Sequence, residues 1–400
     1  MVTMSRPSEI PVDYARAWAG PIDFLPLHEE GQTTNRERRQ AELLDLMARE
    51  YYGTIPSPPD EIGVTRHPVP GENAERLEIT ISAGGRQFNV DAALWLPPDA
   101  SGPAPLISGL DFLGPVGIMS STGFPIDTRA RLSSRPEYGA QDMRMEETLR
   151  GVSVYRWPVG MMLEAGYAVL VSCYGSWVPD HQDHWKSHGL YPLLECGEKS
   201  PVGAISLWAW AIQRLLDVAE KIDEIDHSRI AVAGHSRLGK TALWTAANDK
   251  RIGAVMACNS GCGGAASAAH PVGETLAEMA ENYPHWTISH PDGPTADRSF
   301  DQHHLHALVA PRAVYLATAK LDVKADPLGS YMALRTASDF WEPDTSSGWA
   351  WPSPREIWET GGPVRNGPLG YHMRPGGHNI LPYDWRNFLE FLESQKADCA

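Results

Sequence analysis

The segment with the clearest chemical content is Arg229-Ile-Ala-Val-Ala-Gly-His-Ser-Arg-Leu-Gly-Lys-Thr-Ala-Leu-Trp. An apolar run closes on Gly234, Ser236 follows two residues later, and a helix-favouring stretch begins at once. This is the layout of a nucleophile elbow, a tight strand-to-helix turn that holds a hydroxyl clear of a sheet. Small residues beside the serine are needed because the two backbones approach closely there. The strict G-x-S-x-G spacing is not met: Leu238 stands at the second Gly position and Gly239 comes after it. A serine becomes a nucleophile only with a base beside it, and the base needs an acid behind it. In hydrolases of this layout the order along the chain is Ser, acid, His. Asp322 follows the apolar run Ala313–Ala319, read here as the last strand, and supplies an acid in the right place. His378 sits in Arg374-Pro-Gly-Gly-His-Asn, a Gly-rich loop just before the terminal helix, and supplies the base.

Two basic residues extend the pattern. Arg237 directly follows the serine, where a fixed cationic donor can meet developing negative charge, an effect worth about 3–4 kcal/mol per donor. Lys240 lies one helical turn beyond Ser236, and helical side chains tilt toward the N-terminus, so its ammonium leans back toward a pocket mouth.

These groups need elements to hold them. Short runs rich in Val, Ile and Leu lie at Pro105–Leu110, Tyr167–Cys173, Arg229–Ala233, Gly253–Cys258 and Ala313–Ala319. Their lengths suit strands buried on both faces. Between and after them lie helix-like stretches at Val202–Lys221, Leu238–Asn248, Gly329–Phe340 and Trp385–Gln395. Alternation of strand and helix predicts a parallel, doubly wound sheet. Upstream, Arg76–Ser82 and Gln87–Leu96 flank Ala83-Gly84-Gly85-Arg86 as a hairpin would, and Thr34–Tyr52 has helical apolar spacing ending at Gly53. Residues 1–33 are Pro-rich and read as an N-terminal arm; 34–400 read as one catalytic domain. Asp111–Arg156, with weak periodicity, reads as an insertion over the sheet edge.

The chain has 400 residues, 42% hydrophobic and 21% charged, enough to bury a sizeable core. Its 34 Lys and Arg against 50 Asp and Glu give a net charge of -16, which argues against nucleic-acid or anionic-membrane partners. No apolar run approaches the roughly 18 residues of a membrane span; Ala204–Ile212 is among the longest. The opening residues show no apolar segment behind a basic start. The chain as it stands therefore reads as cytoplasmic, or as secreted if a leader has been removed. Five cysteines without a C-x-x-C pair describe neither a disulfide framework nor a zinc site.

The segment GHSRLGKTALW resembles the G-x-S-R-x-G-K signature of the glucuronoyl esterases, carbohydrate esterase family fifteen, and especially their bacterial branch. The similarity extends to RRQAELLDLMAREYYGTIP, PLISGLDFLG, RWPVGMMLEAGYAVLVSCYG, NSGCGGAA, FDQHHLHALVAPRAVYLATA, DVKADPLG and YHMRPGGHNILPYDW. It implies an α/β-hydrolase fold: a doubly wound, mainly parallel sheet between layers of helices. The implied activity is cleavage, without a cofactor, of the ester joining glucuronic acid on xylan to an alcohol of lignin. Carried over by motif, Ser236 is the nucleophile, His378 the base, Arg237 an oxyanion donor and Lys240 a contact to sugar hydroxyls. Fungal members place their acid in a Q-E-S-G motif, where this chain has Asn259 in Cys258-Asn-Ser-Gly. Bacterial relatives carry a carboxylate where Asp322 stands, with Asp326 the second choice. The bacterial D-x-W-A-D-P motif, whose aromatic belongs to the sugar platform, here has Lys324 in the Trp position. The Glu that contacts the uronic acid in relatives is matched by Glu274 or Glu281.

Other clusters admit other chemistry. His303 and His306 have an i, i+3 metal spacing but lie in an apolar, helical segment, so no metal is expected. Asp180-His181-Gln182-Asp183-His184 follows a strand at a sheet end where ligand loops gather, and reads as a cleft wall, a solvated loop or a cation site. Trp177, Trp185 and Trp286 are core residues or cleft walls. The sequence as a whole points to a serine esterase acting on a glucuronoyl or other glycan ester. The alternatives are a carboxylesterase or lactonase for a small non-carbohydrate acid, and a catalytically silent carbohydrate-binding relative.

Overall fold

Every residue of the runs Ala104–Asp111, Ala168–Cys173 and Ala313–Ala319 is buried, as strands covered on both faces must be. The computed structural model describes residues 22–27, 35–132, 144–196, 201–270, 272–288, 299–341 and 349–397. Among these, ten strands join one sheet: β1 (Glu61–Pro68), β2 (Glu75–Ala83), β3 (Arg86–Trp95), β4 (Ala104–Asp111), β5 (Ala168–Cys173), β6 (Ile225–His235), β7 (Ile252–Cys258), β8 (Ala313–Ala319), β9 (Val364–Asn366) and β10 (Leu369–Arg374). Their spatial order is β1-β2-β3-β5-β4-β6-β7-β8-β10-β9. The block from β5 to β10 is parallel, whereas β1, β2 and β3 on one side and β9 on the other run antiparallel to their neighbours.

Helices flank this sheet: α1 (Arg36–Met47), α2 (Ala204–Ala219), α3 (Arg237–Asn248), α4 (Leu276–Asn282), α5 (Gln302–Ala307), α6 (Pro327–Ala337) and α7 (Pro382–Ala397). The result is the α/β-hydrolase architecture. Helix α2 is apolar nearly all round and buried along its length, and it packs on α3. Trp244 of α3 stacks on Tyr52 with ring centroids 4.4 Å apart and donates to Ser206 Oγ at 2.9 Å. The helix behind the serine is thereby fixed on its far side. No helix among the described residues is long and apolar enough to cross a membrane.

Two expectations need correction, and a third, the hairpin, is met and extended. Ala313–Ala319 is not the last strand: β9 and β10 follow it, and β10 inserts beside β8. The hairpin β2–β3 continues outward into β1. The ends of Asp111–Arg156 do not lie over an edge; Asp111 ends β4, which sits between β5 and β6, and Arg156 pairs with it at 3.3 Å. Of the expected arm, only 22–27 fall among the described residues. There the carbonyls of Leu25, Pro26 and Leu27 lie at hydrogen-bond distance from His303, His304 and Arg39.

Candidate active site

The C-terminal ends of the parallel strands converge on a cavity of about 520 Å³ lined, among others, by Phe112, Arg156, Ser236, Asn259, Asp322 and His378. In open α/β sheets this edge is where loops from several strands meet. Ser236 sits between β6 and α3 with φ 59 and ψ −126. A non-glycine residue in that region carries strain, on the order of 1–3 kcal/mol, that the surroundings must impose. They do so by close approach: a Cβ on Gly234 would meet the Leu238 carbonyl oxygen at 2.0 Å, and one on Gly239 would meet the Gly234 carbonyl oxygen at 3.1 Å. Gly239 therefore fills the close-packing role one residue later than the strict motif places it. The Ser236 N–H donates to the Cys258 carbonyl at 2.8 Å, and its own carbonyl accepts from Gly239 and Lys240.

His378 Nδ1 lies 2.6 Å from Asp322 Oδ2. The carboxylate is almost fully buried, whereas the imidazole is 43% exposed and reaches the cavity. Backbone bonds tie the two loops together, Lys320 N–H to Arg374 O at 2.8 Å and Leu321 N–H to Gly376 O at 2.9 Å. Beneath them Asp384, completely buried, accepts from Arg374 Nε and the Leu381 N–H and lies 2.7 Å from His372 Nε2. Asn259, left-handed at φ 46, donates its side-chain amide to Asp322 Oδ2 at 2.5 Å. The two positions from which an acid was sought thus meet at one carboxylate. Asp326 lies apart from the dyad: it caps α6 through Gly329 N–H and faces His270 Nδ1 at 2.5 Å.

Arg237 is buried, and its guanidinium lies over the Trp286 ring at 4.5 Å. It forms an ion pair with Asp180 of the loop that follows β5. Asp180 also accepts from Tyr174 Oη and Trp286 Nε1 and lies 2.8 Å from His285 Nε2. Burial alone would raise its pKa; Arg237 and His285 outweigh that and hold the carboxyl well below the usual range. Lys240 is buried with its Nζ 2.5 Å from the carbonyls of Ser260 and Cys262. Burial lowers its pKa, opposed by the Glu274 charge. Lys324 Nζ pairs with Glu274 Oε1 at 2.9 Å on the cavity wall, the lysine 57% exposed. Trp286 lines the cavity; Glu281 is exposed, Trp177 is core with its indole bound to Ser172 Oγ, and Trp185 packs on Tyr191.

The histidine clusters do not converge as ligands. His306 Nε2 is 3.0 Å from the Ala265 carbonyl, and among the described residues no three His, Cys, Asp or Glu side chains form a metal-like group. Cys173, Cys196, Cys258 and Cys262 are free thiols, and Cys399 lies outside the described residues.

The chain is similar to known proteins over most of its length. A sequence model of fungal glucuronyl esterases matches residues 159–343. Carbohydrate esterase MZ0003 from an unknown prokaryotic organism is 31% identical over 373 residues, 89% of this chain and 84% of that protein. A 4-O-methyl-glucuronoyl methylesterase of Hypocrea jecorina is 22% identical over 317 residues, covering 75% of this chain and 57% of that one. Among solved structures, a glucuronoyl esterase from Solibacter usitatus superposes with a TM-score of 0.80 at 29% identity, covering 94% and 98% of the two chains. A promiscuous family-15 esterase from a marine bacterial metagenome gives 0.78 at 30% identity, covering 90% and 91%. The elbow, the buried Arg237 and the Asp322–His378 pair therefore belong to a carboxylic ester hydrolase of the bacterial glucuronoyl esterases, carbohydrate esterase family 15.

Proposed function

We propose that this protein hydrolyses glucuronoyl esters through an acyl-enzyme on Ser236. The observation that carries the reading is the 2.6 Å contact of His378 Nδ1 with Asp322, both in one cavity with a serine held at positive φ. Ser236 Oγ attacks the ester carbonyl while His378 takes its proton. Asp322 keeps the proton on Nδ1, so Nε2 is the basic nitrogen, and it balances the imidazolium that forms. Asn259 orients that carboxylate and contributes no charge. The oxyanion meets the Arg237 side chain and backbone N–H groups at the start of α3, donors already fixed before charge develops. The alcohol leaves with the proton from His378, and water releases the acid by the same steps reversed.

Lys240, Glu274, Lys324 and Trp286 form the wall assigned to the acid. Two of the three ammonium donors of Lys240 are taken by backbone carbonyls, which leaves it capacity for one substrate oxygen. The Lys324–Glu274 pair favours a second reading, an ester whose acid is not a sugar, because an ammonium offers a pyranose face no stacking surface. A panel of benzyl glucuronate, methyl galacturonate, aryl acetates and aromatic acid esters separates the two. Preferential turnover of benzyl glucuronate by kcat/KM is expected; preference for the aryl acetates or aromatic acid esters would select the second reading.

A further inference from the structure

His235, the residue before the serine, takes part in none of these steps, yet it lines the same cavity and is 5% exposed. Its Nδ1 lies 3.0 Å from Arg156 Nη2. A guanidinium only donates, so Nδ1 is the bare, accepting nitrogen, and a neutral imidazole then carries its single proton on Nε2. Arg156 is itself held by Asp111 at 3.3 Å and by Asn379 Oδ1 at 3.0 Å, so the tautomer is set from outside the ring. Burial, reinforced by the charges of His378 and Arg156, keeps the pKa of His235 far below the ordinary histidine value and the ring neutral. The Nε2–H meets no acceptor among the described residues. A buried donor left without a partner is unfavourable, and at a site built for a ligand the ligand supplies the acceptor.

We infer that His235 is a further catalytic residue whose Nε2–H donates to the alkoxy oxygen of the scissile ester. The inference rests on the esterase reading above. Two placements select that oxygen. The His235 and His378 ring centroids are 4.6 Å apart, and the alkoxy oxygen must lie at His378 to receive its proton. In the mechanism above the acyl oxygen is assigned to Arg237 and the acid to the wall of Lys240, Glu274, Lys324 and Trp286. His235 instead shares its wall with Arg156, Asn379 and Tyr155, which are joined by hydrogen bonds. During acylation the Ser236 Oγ–carbon bond forms and the carbon–alkoxy bond breaks. The serine proton passes through His378 to the alkoxide, and His235 keeps its own proton throughout.

The test compares methyl glucuronate with its S-methyl thioester, because sulfur is a weak acceptor. Wild-type turnover of the oxygen ester reports on the esterase reading by itself. If His235 acts as inferred, His235→Phe lowers kcat/KM for the oxygen ester roughly ten- to a hundred-fold more than for the thioester. His235→Gln, which keeps a side-chain N–H donor, restores much of that difference. An equal loss on both esters, or no loss, overturns the inference while leaving the esterase reading intact. Should His235→Phe not fold, wild type with 15N-labelled histidines decides. The ring signal absent from His235→Gln must be protonated at Nε2 and bare at Nδ1, and its N–H proton must move downfield on binding a methyl phosphonate analogue of the ester. A ring protonated at Nδ1, or an N–H that does not move, overturns the inference.

Discussion

Asn259 and Asp322 show how one residue's meaning depends on its partner. An amide on the strand after the elbow helix cannot balance an imidazolium, but it can hold a carboxylate that does, and it donates to Asp322 at 2.5 Å. The expected consequence is asymmetric. Asp322→Ala should lower kcat on the order of 10⁴-fold, as loss of a triad acid does, whereas Asn259→Ala should cost about ten-fold or less, one orienting hydrogen bond being worth roughly 1 kcal/mol. Steady-state kinetics on one ester decides it, and reversed magnitudes would move the acid role to another group. The three principal candidates were legible because each follows a recognisable apolar run or Gly-rich turn. Asp180 and His235 were not. Their partners, Arg237 for one and Arg156 for the other, lie 57 and 79 residues away, and no local spacing encodes such pairings.

At the scale of elements, the elbow depends on two glycines that let β6 and α3 touch. Gly234→Ala should therefore destabilise the fold and abolish turnover together, since its Cβ would fall 2.0 Å from a backbone oxygen that cannot move aside. Thermal melting and activity measured on the same sample check this; a variant with wild-type melting and turnover would mean that the turn is looser than described. Strand β8 was readable residue for residue because its burial on both faces leaves a run that is apolar apart from Thr318. Strands β1, β9 and β10 were not. Edge strand β1 has no buried residue and mixes polar with apolar side chains, β9 has three residues, and β10 carries Gly370, His372 and Arg374, whose burial makes sense only through Asp384 and the Tyr315 side chain packed on Gly370. The elbow's departure from G-x-S-x-G was visible in the sequence, but its resolution, Gly239 packing against Gly234, needed coordinates.

For the molecule as a whole, the parallel block gathers residues from β4, β6, β7, β8 and β10 at one rim, which makes the topology itself the device that assembles the cavity. The same burial sets the response to acid. His304 and His306 are pushed down to about 4, chiefly by burial, and His303 and His235 are also lowered by it. An unfolded chain binds protons at these histidines near pH 6.5 while the folded one does not, so ν_U exceeds ν_N and stability rises with pH across that window. Their contribution is complete above about pH 6.5 and is lost as pH falls toward 4. The melting temperature should accordingly drop by several degrees between pH 7 and pH 4.5. His304→Gln with His306→Gln should shallow that slope; an identical slope in the double variant would remove these rings from the explanation.

All of this converges on a single hydroxyl. The most direct measurement is kcat for benzyl glucuronate with wild type and with Ser236→Ala, the variant first shown by its melting curve to be folded. The proposed mechanism predicts wild-type turnover and a loss on the order of 10⁶-fold in the variant, as for other serine nucleophiles acting with their base as a unit. Turnover by Ser236→Ala within about ten-fold of wild type would contradict it.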